Sequence, residues 1–196
     1  CSVVTEGARV RLELDPMEGT WRLQGASPDA MLALEMWLQL RGAAPEAGAT
    51  AIPVTAPSGV EEFLARAGRN PVRIRQADWR PGDPILAIGR LLEWMAEEHM
   101  TQSDIVGQLP AAHTALRTVA CPWEAKGRVM RRLLEEHADS VVEMVDGLRI
   151  HLPEGWALLL PDPDEPVYRV YTEASDDDRA AALAEQYTRR VTELQA

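Results

Sequence analysis

The sequence predicts an α/β plus α+β chain: the end of one α/β domain, a shortened parallel α/β domain, and a C-terminal antiparallel four-stranded sheet flanked by helices. Three observations carry this. A strand-like stretch and a capped amphipathic helix open the chain, a strand, helix, strand, helix order fills its middle, and closely spaced strand candidates between two helices close it.

In "ARVRLELD", Val10, Leu12 and Leu14 alternate with Arg9, Arg11 and Glu13, the period of a half-buried strand, and "TWRLQG" is its expected hairpin partner. Ser27, Pro28 and Asp29 form a helix start; Met31, Leu34 and Leu38 follow at helical spacing and Gly42 ends the helix. After the short linker "RGAAPEAGA", "TAIPVTA" reads as a buried strand. Ser58 is expected to cap a helix through Phe63 and Leu64 to Gly68, "PVRIRQ" reads as the next strand, and Ile85 to Glu97 as the next helix. "SDIVGQLP" adds a short capped helix that Pro110 ends. From Pro122 a helix runs through Val129, Met130, Leu133 and Leu134. Four strand candidates follow, "SVVEMV", "DGLRIHL", "GWALLL" and "VYRVYTEA", with turns at Asp146-Gly147 and Glu154-Gly155. Ser175 and the acids Asp176, Asp177 and Asp178 begin a last helix carrying Leu183, Tyr187, Val191 and Leu194 on one face. These elements divide the chain into 1–44, 45–117 and 118–196.

With 196 residues, 46% of them hydrophobic, the chain can bury a core. Twenty basic and 31 acidic residues leave a net charge of −11, and no Lys/Arg cluster resembles a phosphate-backbone footprint, so nucleic acid is not an expected partner. The longest apolar runs are too short for a membrane span. Cys1 and Cys121 lack CxxC or Cys/His spacing, which points to a reducing, cytoplasmic setting without a zinc site. A start at Cys1, with no signal peptide, reads as a piece of something longer.

The stretch "LPDPDEPVYRVYTEA" places three carboxylates, Asp162, Asp164 and Glu165, between two strands. They fit a cation, a partner's Arg or Lys, or a proline-stiffened solvated turn. Arg169 fits an anion or an ion pair with Glu173 or a neighbour. Cys121 before Pro122 reads as a reactive thiol at a helix start or as a small buried hydrophobe. His99, His113, His137 and His151 show no metal spacing. Trp37, Trp94, Met31, Met36 and Met95 lie on helical faces and read as core; Trp79 and Trp123 read as interface residues.

The run from Asp146 to Ser175 resembles the last domain of the α-D-phosphohexomutases, the phosphomannomutase and phosphoglucomutase superfamily. Asp146-Gly147, Gly155-Trp156, Pro161, Glu165-Pro166, Arg169 and Tyr171 to Ala174 keep the family's frame without a gap. "VACPWEAKGRVMRRLLEE" looks like the helix opening that domain. "ATAIPVTAPSGVEEFLARAG" and "DPILAIGRLLEWMAEEHMTQSDIVGQLP" look like the start and end of the third domain, and residues 8 to 42 like the second half of the second.

The resemblance implies four catalytic parts. The family's phosphoserine nucleophile belongs to a first domain that this chain does not contain. Its Mg²⁺ loop, close to Asp-x-Asp-x-Asp-Arg, is matched by "DPMEGTWR": Asp15 is kept, while Met17, Gly19 and Thr20 stand for the other two acids and the Arg, leaving Glu13 and Glu18 as weak substitutes. The sugar-reading loop is replaced by the short "ADWRPG". In the phosphate loop, Leu160 replaces Arg, Asp162 replaces Ser, Pro163 replaces Gly and Asp164 replaces Thr, around the retained Pro161, Glu165 and Arg169. Each like-charge contact with a phosphate would cost about 1 to 4 kcal/mol. The metal cofactor is therefore expected to be lost, and this chain alone is expected not to be catalytic.

The resemblance thus implies a C-terminal segment of a sugar-phosphate or sugar-nucleotide protein, with a regulatory or architectural role. The expected partner is a sugar-nucleotide synthase module, such as mannose-1-phosphate guanylyltransferase, or a second copy of the chain. Two alternatives stand beside it: the substrate-closing part of an active phosphohexomutase, and a module that senses a sugar nucleotide or a cation.

Overall fold

The computed structural model describes residues 2–5, 8–15, 20–40, 49–80 and 82–195. These fall into two compact units, one made of 1–52, 56–72 and 77–111, the other of 53–55, 73–76 and 112–196.

In the first unit, β1 (Ser2–Thr5), β2 (Ala8–Asp15) and β3 (Thr20–Leu23) form an antiparallel sheet in that order. Val10, Leu12, Trp21 and Leu23 are buried and Arg11 and Glu13 exposed, as a period of two requires, but Leu14, expected on the buried face, is 44% exposed near the end of β2. Helix α1 (Pro28–Leu40) starts where Ser27 Oγ accepts the Ala30 N–H at 3.1 Å, and it buries Met31, Leu34 and Leu38. Gly42, its expected stop, lies outside the described residues.

β4 (Ala49–Pro53) pairs with β5 (Asn70–Ile74), and α2 (Ser58–Arg66) lies between them in sequence. Ser58 does not cap α2. The cap position is Pro57, which has no side chain to accept a bond, and Ser58 is already helical. The helix ends at Arg66 with Ala67 as its C-cap, and Gly68 just beyond takes a φ of +74°, which suits a residue without Cβ. In α3 (Pro84–Glu97), Asp83 accepts the N–H groups of Ile85 and Leu86, both at 2.9 Å, ahead of a proline at the first position. The cap of α4 (Gln102–Gln108) is Thr101 rather than a residue of "SDIVGQLP": its hydroxyl accepts the Asp104 N–H while the Asp104 carboxylate accepts the Thr101 N–H at 2.8 Å. Leu34, Leu38, Leu64, Leu91, Trp94 and Ile105 join these elements in one core. Trp37 packs edge-on to Phe63, ring centroids 5.8 Å apart.

The second unit is a sheet of five strands, not four. β6 (His113–Ala120), β10 (Val167–Ala174), β9 (Gly155–Pro161), β8 (Leu148–Leu152) and β7 (Val142–Glu143) lie in that order, every pairing antiparallel. The extra strand, β6, escapes a hydrophobic pattern because it is an edge strand whose one buried residue is Val119. β7 shrinks to two residues of "SVVEMV".

Helices α5 (Trp123–Glu136) and α6 (Asp177–Glu193) supply Val129, Leu133, Tyr187 and Val191 to the core formed with Leu148, Ile150, Leu159, Tyr168 and Val170. Each such buried aliphatic side chain contributes about 1.5 to 3 kcal/mol. Trp156, Leu158 and Leu160 alternate with that set along β9 and pack with Val54 and Tyr171. The sheet is thus apolar on both faces of its middle strand. No helix among the described residues is long and apolar enough to cross a membrane.

Candidate functional site

The loop joining β9 to β10 carries the sequence-predicted acids, and its geometry is closed upon itself. Asp162 sits in the first loop position with only 8% of its surface exposed. One carboxylate oxygen, Oδ1, accepts the backbone N–H groups of Asp164 at 3.0 Å and Glu165 at 2.9 Å. The other, Oδ2, accepts Nε–H of Arg169 at 2.7 Å. Arg169 also donates through Nη2 to Glu165 Oε2 at 3.1 Å. The two backbone N–H groups and the guanidinium favour the charged form, so the Asp162 carboxyl is held below the usual carboxylate range and Arg169 above its own.

The loop backbone has its own supports. Val167 O accepts the Asp162 N–H at 3.1 Å, Glu165 O accepts the Val167 N–H at 2.8 Å, and Pro166 O accepts the Cys121 N–H at 2.7 Å. Lys126 Nζ, on the first turn of α5, donates to the carbonyl oxygens of Asp162 and Glu165, both at 2.5 Å, and stands 3.7 Å from the centre of the Trp123 ring. Sequence reasoning does not single out Lys126. It has no spacing signal, because its partners are carbonyl groups some forty residues away.

The remaining predicted loop residues take different places. Leu160 is buried with Val54, Trp156 and Leu158, so the position that would hold an arginine is part of a core. Pro161 is half-buried at the strand end; Pro163, Asp164 and Glu165 are exposed. Arg169 does not pair with Glu173. It turns to Asp162 and Glu165, and Glu173 accepts the Trp156 indole N–H instead.

Of the predicted metal loop, Asp15 lies exposed at the end of β2, opposite Thr20. Met17, Glu18 and Gly19 lie outside the described residues. Among the described residues no three His, Cys, Asp or Glu side chains are grouped to hold a metal ion.

The other sequence candidates take separate places in the two units. Cys121 is fully buried, and burial pushes its thiol up. His137 bridges Leu133 O and the Tyr187 hydroxyl at 3.2 and 3.0 Å. His113 faces Asp177 at 2.8 Å and His151 faces Glu143 at 2.5 Å. Trp123 is 51% exposed, and Trp79 is half-buried.

The architecture is that of a mixed α/β chain whose second unit matches the C-terminal domains of phosphohexomutases in fold. Among solved structures, a phosphoglucomutase/phosphomannomutase family protein from Burkholderia thailandensis matches with a TM-score of 0.64 at 16% identity, over 89% of this chain and 43% of that one. The N-acetylphosphoglucosamine mutase of Aspergillus fumigatus, in complex with GlcNAc-6P and magnesium, matches with a TM-score of 0.55 at 12% identity, over 96% of this chain and 47% of that one.

Curated relatives are similar in sequence as well. A probable phosphoglucosamine mutase of Methanopyrus kandleri is 33% identical over 109 residues, 54% of this chain and 24% of the relative. A phosphopentomutase of Thermococcus kodakarensis is 30% identical over 143 residues, 68% of this chain and 32% of the relative. The chain thus spans about a quarter to a third of the curated relatives it matches. No family model matches it. Together these likenesses support a relationship to the α-D-phosphohexomutase superfamily.

Proposed function

We propose that the chain is the C-terminal part of a phosphohexomutase-like protein of sugar-phosphate metabolism, and that this part serves regulation or architecture rather than turnover. The observation that carries the reading is the ion pair between Asp162 and Arg169. The one guanidinium of the loop is taken by two carboxylates, with Oδ2 of Asp162 at 2.7 Å and Oε2 of Glu165 at 3.1 Å. A phosphate entering there would meet net negative charge and two backbone N–H groups already in use. In this reading residues 1–44, 45–117 and 118–196 correspond to the end of a second, a shortened third and a final mutase-like domain. The chain acts by docking on a sugar-nucleotide synthase module or on a second copy of itself.

Calorimetric titration with mannose 1-phosphate, glucose 1-phosphate and GDP-mannose, with and without Mg²⁺, tests it. No heat of binding is expected. Hexose phosphate binding at micromolar strength would overturn the reading of the loop.

A second reading is favoured by the mutase names of the curated relatives: the complete protein is an active phosphomutase and this part closes over its substrate. Turnover of a hexose or pentose phosphate by the full-length protein, lost on deletion of 118–196, would select it.

A further inference from the structure

Among the described residues β10 is the one strand paired with β6, so β6 presents its other side as a free edge of the sheet. Two side-chain bonds show which backbone groups look that way. Arg117 Nη1 donates to Leu116 O at 3.0 Å, and Gln195 Nε2 donates to Ala120 O at 2.7 Å. Backbone groups alternate sides along an antiparallel strand, and these two carbonyls share one parity. The N–H and C=O groups of Leu116, Thr118 and Ala120 therefore point to the free edge, and those of Ala115, Arg117 and Val119 point to β10.

The side chains alternate with the same period. Val119 is buried in the core that α5 and α6 share, and His113 faces Asp177 on α6, so the odd-numbered residues lie on the helix-covered face. Leu116 lies on the opposite face and is 45% exposed. It is level with Tyr171 on β10 and, beyond it, Leu158 on β9. The row Leu158, Tyr171, Leu116 is thus apolar up to the border of the sheet and stops there in an exposed leucine. His113–Ala120 also holds no proline, glycine or lysine, residues that commonly blunt an edge against further pairing.

We infer that this edge pairs with the same edge of a second copy of the chain, antiparallel and about a two-fold axis at Leu116, joining two five-stranded sheets into one. The side chains select the register. An axis at Arg117 would set two guanidinium groups directly opposite each other, which is destabilising. An axis at Thr118 would set Leu116 against Ala120 and need both of their carbonyls released from the side chains that hold them. An axis at Leu116 sets leucine against leucine and carries the apolar row across both sheets. It places Arg117 opposite the small Ala115, and Thr118 opposite Thr114. The residue on the axis is then one whose N–H and C=O face outward, as a hydrogen-bonded pair requires. Arg117 has to release Leu116 O, an exposed bond that exchanges readily for water. Pairing along so short an edge makes a weak, concentration-dependent dimer. The inference rests on the part of the proposed function in which the chain docks on a second copy of itself.

The test is sedimentation equilibrium of the 196-residue chain over a range of concentrations, in reducing buffer so that Cys1 cannot cross-link, with amide hydrogen exchange at the two ends of that range. A monomer–dimer equilibrium is expected, with the Leu116 and Thr118 amides protected only where the dimer forms. Thr118→Pro removes an N–H that points away from β10 and should weaken dimerisation at least about tenfold. Leu116→Lys, which sets two like charges on the axis, should do the same and serves as the reading should Thr118→Pro not fold. Arg117→Thr should strengthen the dimer. A chain that stays monomeric, a dimer unmoved by Leu116→Lys, or a dimer weakened by Arg117→Thr overturns the inference. A monomer leaves docking on a synthase module in place, and a dimer indifferent to the edge leaves self-docking through another face. Hexose phosphate binding by the native chain strikes the reading of the β9–β10 loop and leaves this edge untouched.

Discussion

Arg169 on β10 reaches back across the loop to Asp162, Nε to Oδ2 at 2.7 Å, and so ties the last strand to the turn that precedes it. The contact joins a residue 36% exposed to one 10% exposed in its side chain, which shields the pair more than an ordinary surface ion pair. With two backbone N–H groups on the same carboxylate, Asp162 organises the turn as well as balancing a charge.

Asp162→Ala should therefore destabilise the chain by about 2 kcal/mol, because three donors lose one acceptor. Asp162→Asn should cost less, about 1 kcal/mol, since its amide oxygen still accepts from the backbone while the charge is gone. The pH dependence has a fixed sign. The native carboxyl lies below its unfolded value, so its stabilisation is complete above about pH 4 and fades as pH falls through the native value. Urea unfolding of the native and Asp162→Asn chains from pH 7 to pH 2 should show a gap that is constant at the upper end and closes in acid.

Much of this architecture was legible in the sequence, for reasons that differ by element. Helix α1 could be read because Ser27, Pro28 and the Met31, Leu34, Leu38 stripe all agree. Strand β6 leaves no signal in the sequence, because an edge strand needs no alternating burial and its residues are held mainly by pairing with β10. The loop acids were legible as acids, but the role of Asp162 was not, since an inward-turned carboxylate and an outward one have the same local sequence. Lys126 was invisible for the same reason: its partners are backbone oxygens brought near by the fold.

Glycine at 155 follows from a close approach. Its φ is +150°, and a Cβ added there would run into the backbone oxygen of Glu173 on the neighbouring strand. Neither atom belongs to a flexible side chain, so β9 and β10 would have to part. Gly155→Ala should cost about 3 kcal/mol or more, measured by thermal or urea unfolding. Gly127→Ala, in a helix where the added Cβ meets nothing within 4 Å, should be neutral or stabilising by up to about 1 kcal/mol.

Cys121 should behave as a core residue toward thiol reagents. It is fully buried, its thiol is shifted upward by burial, and its backbone N–H is engaged with Pro166 O. In a Cys1→Ser chain, an aromatic disulfide reagent at pH 8 should release almost no thiolate over minutes in buffer and one equivalent in urea. Prompt reaction in buffer would mean that the β9–β10 loop opens readily, since Pro166 closes over this residue.

Arg149, on β8, is a buried cation of the C-terminal sheet. Its guanidinium stands 3.7 Å from the Trp156 ring centre and donates to Val54 O at 3.1 Å, with 1% of the residue exposed. A cation removed from water this far needs compensation, and the face of an indole supplies part of it. Trp156 is itself oriented by its indole N–H bond to Glu173. The two residues should therefore be energetically coupled. Trp156→Leu and Arg149→Met should each destabilise by about 2 to 4 kcal/mol, the first by lost volume and lost cation–π contact, the second by lost packing and the lost bond to Val54. The double variant should be less unstable than the sum by about 1 to 2 kcal/mol, because either change alone removes the shared contact. Strict additivity in a double-mutant cycle would show that the stacked geometry contributes nothing beyond packing.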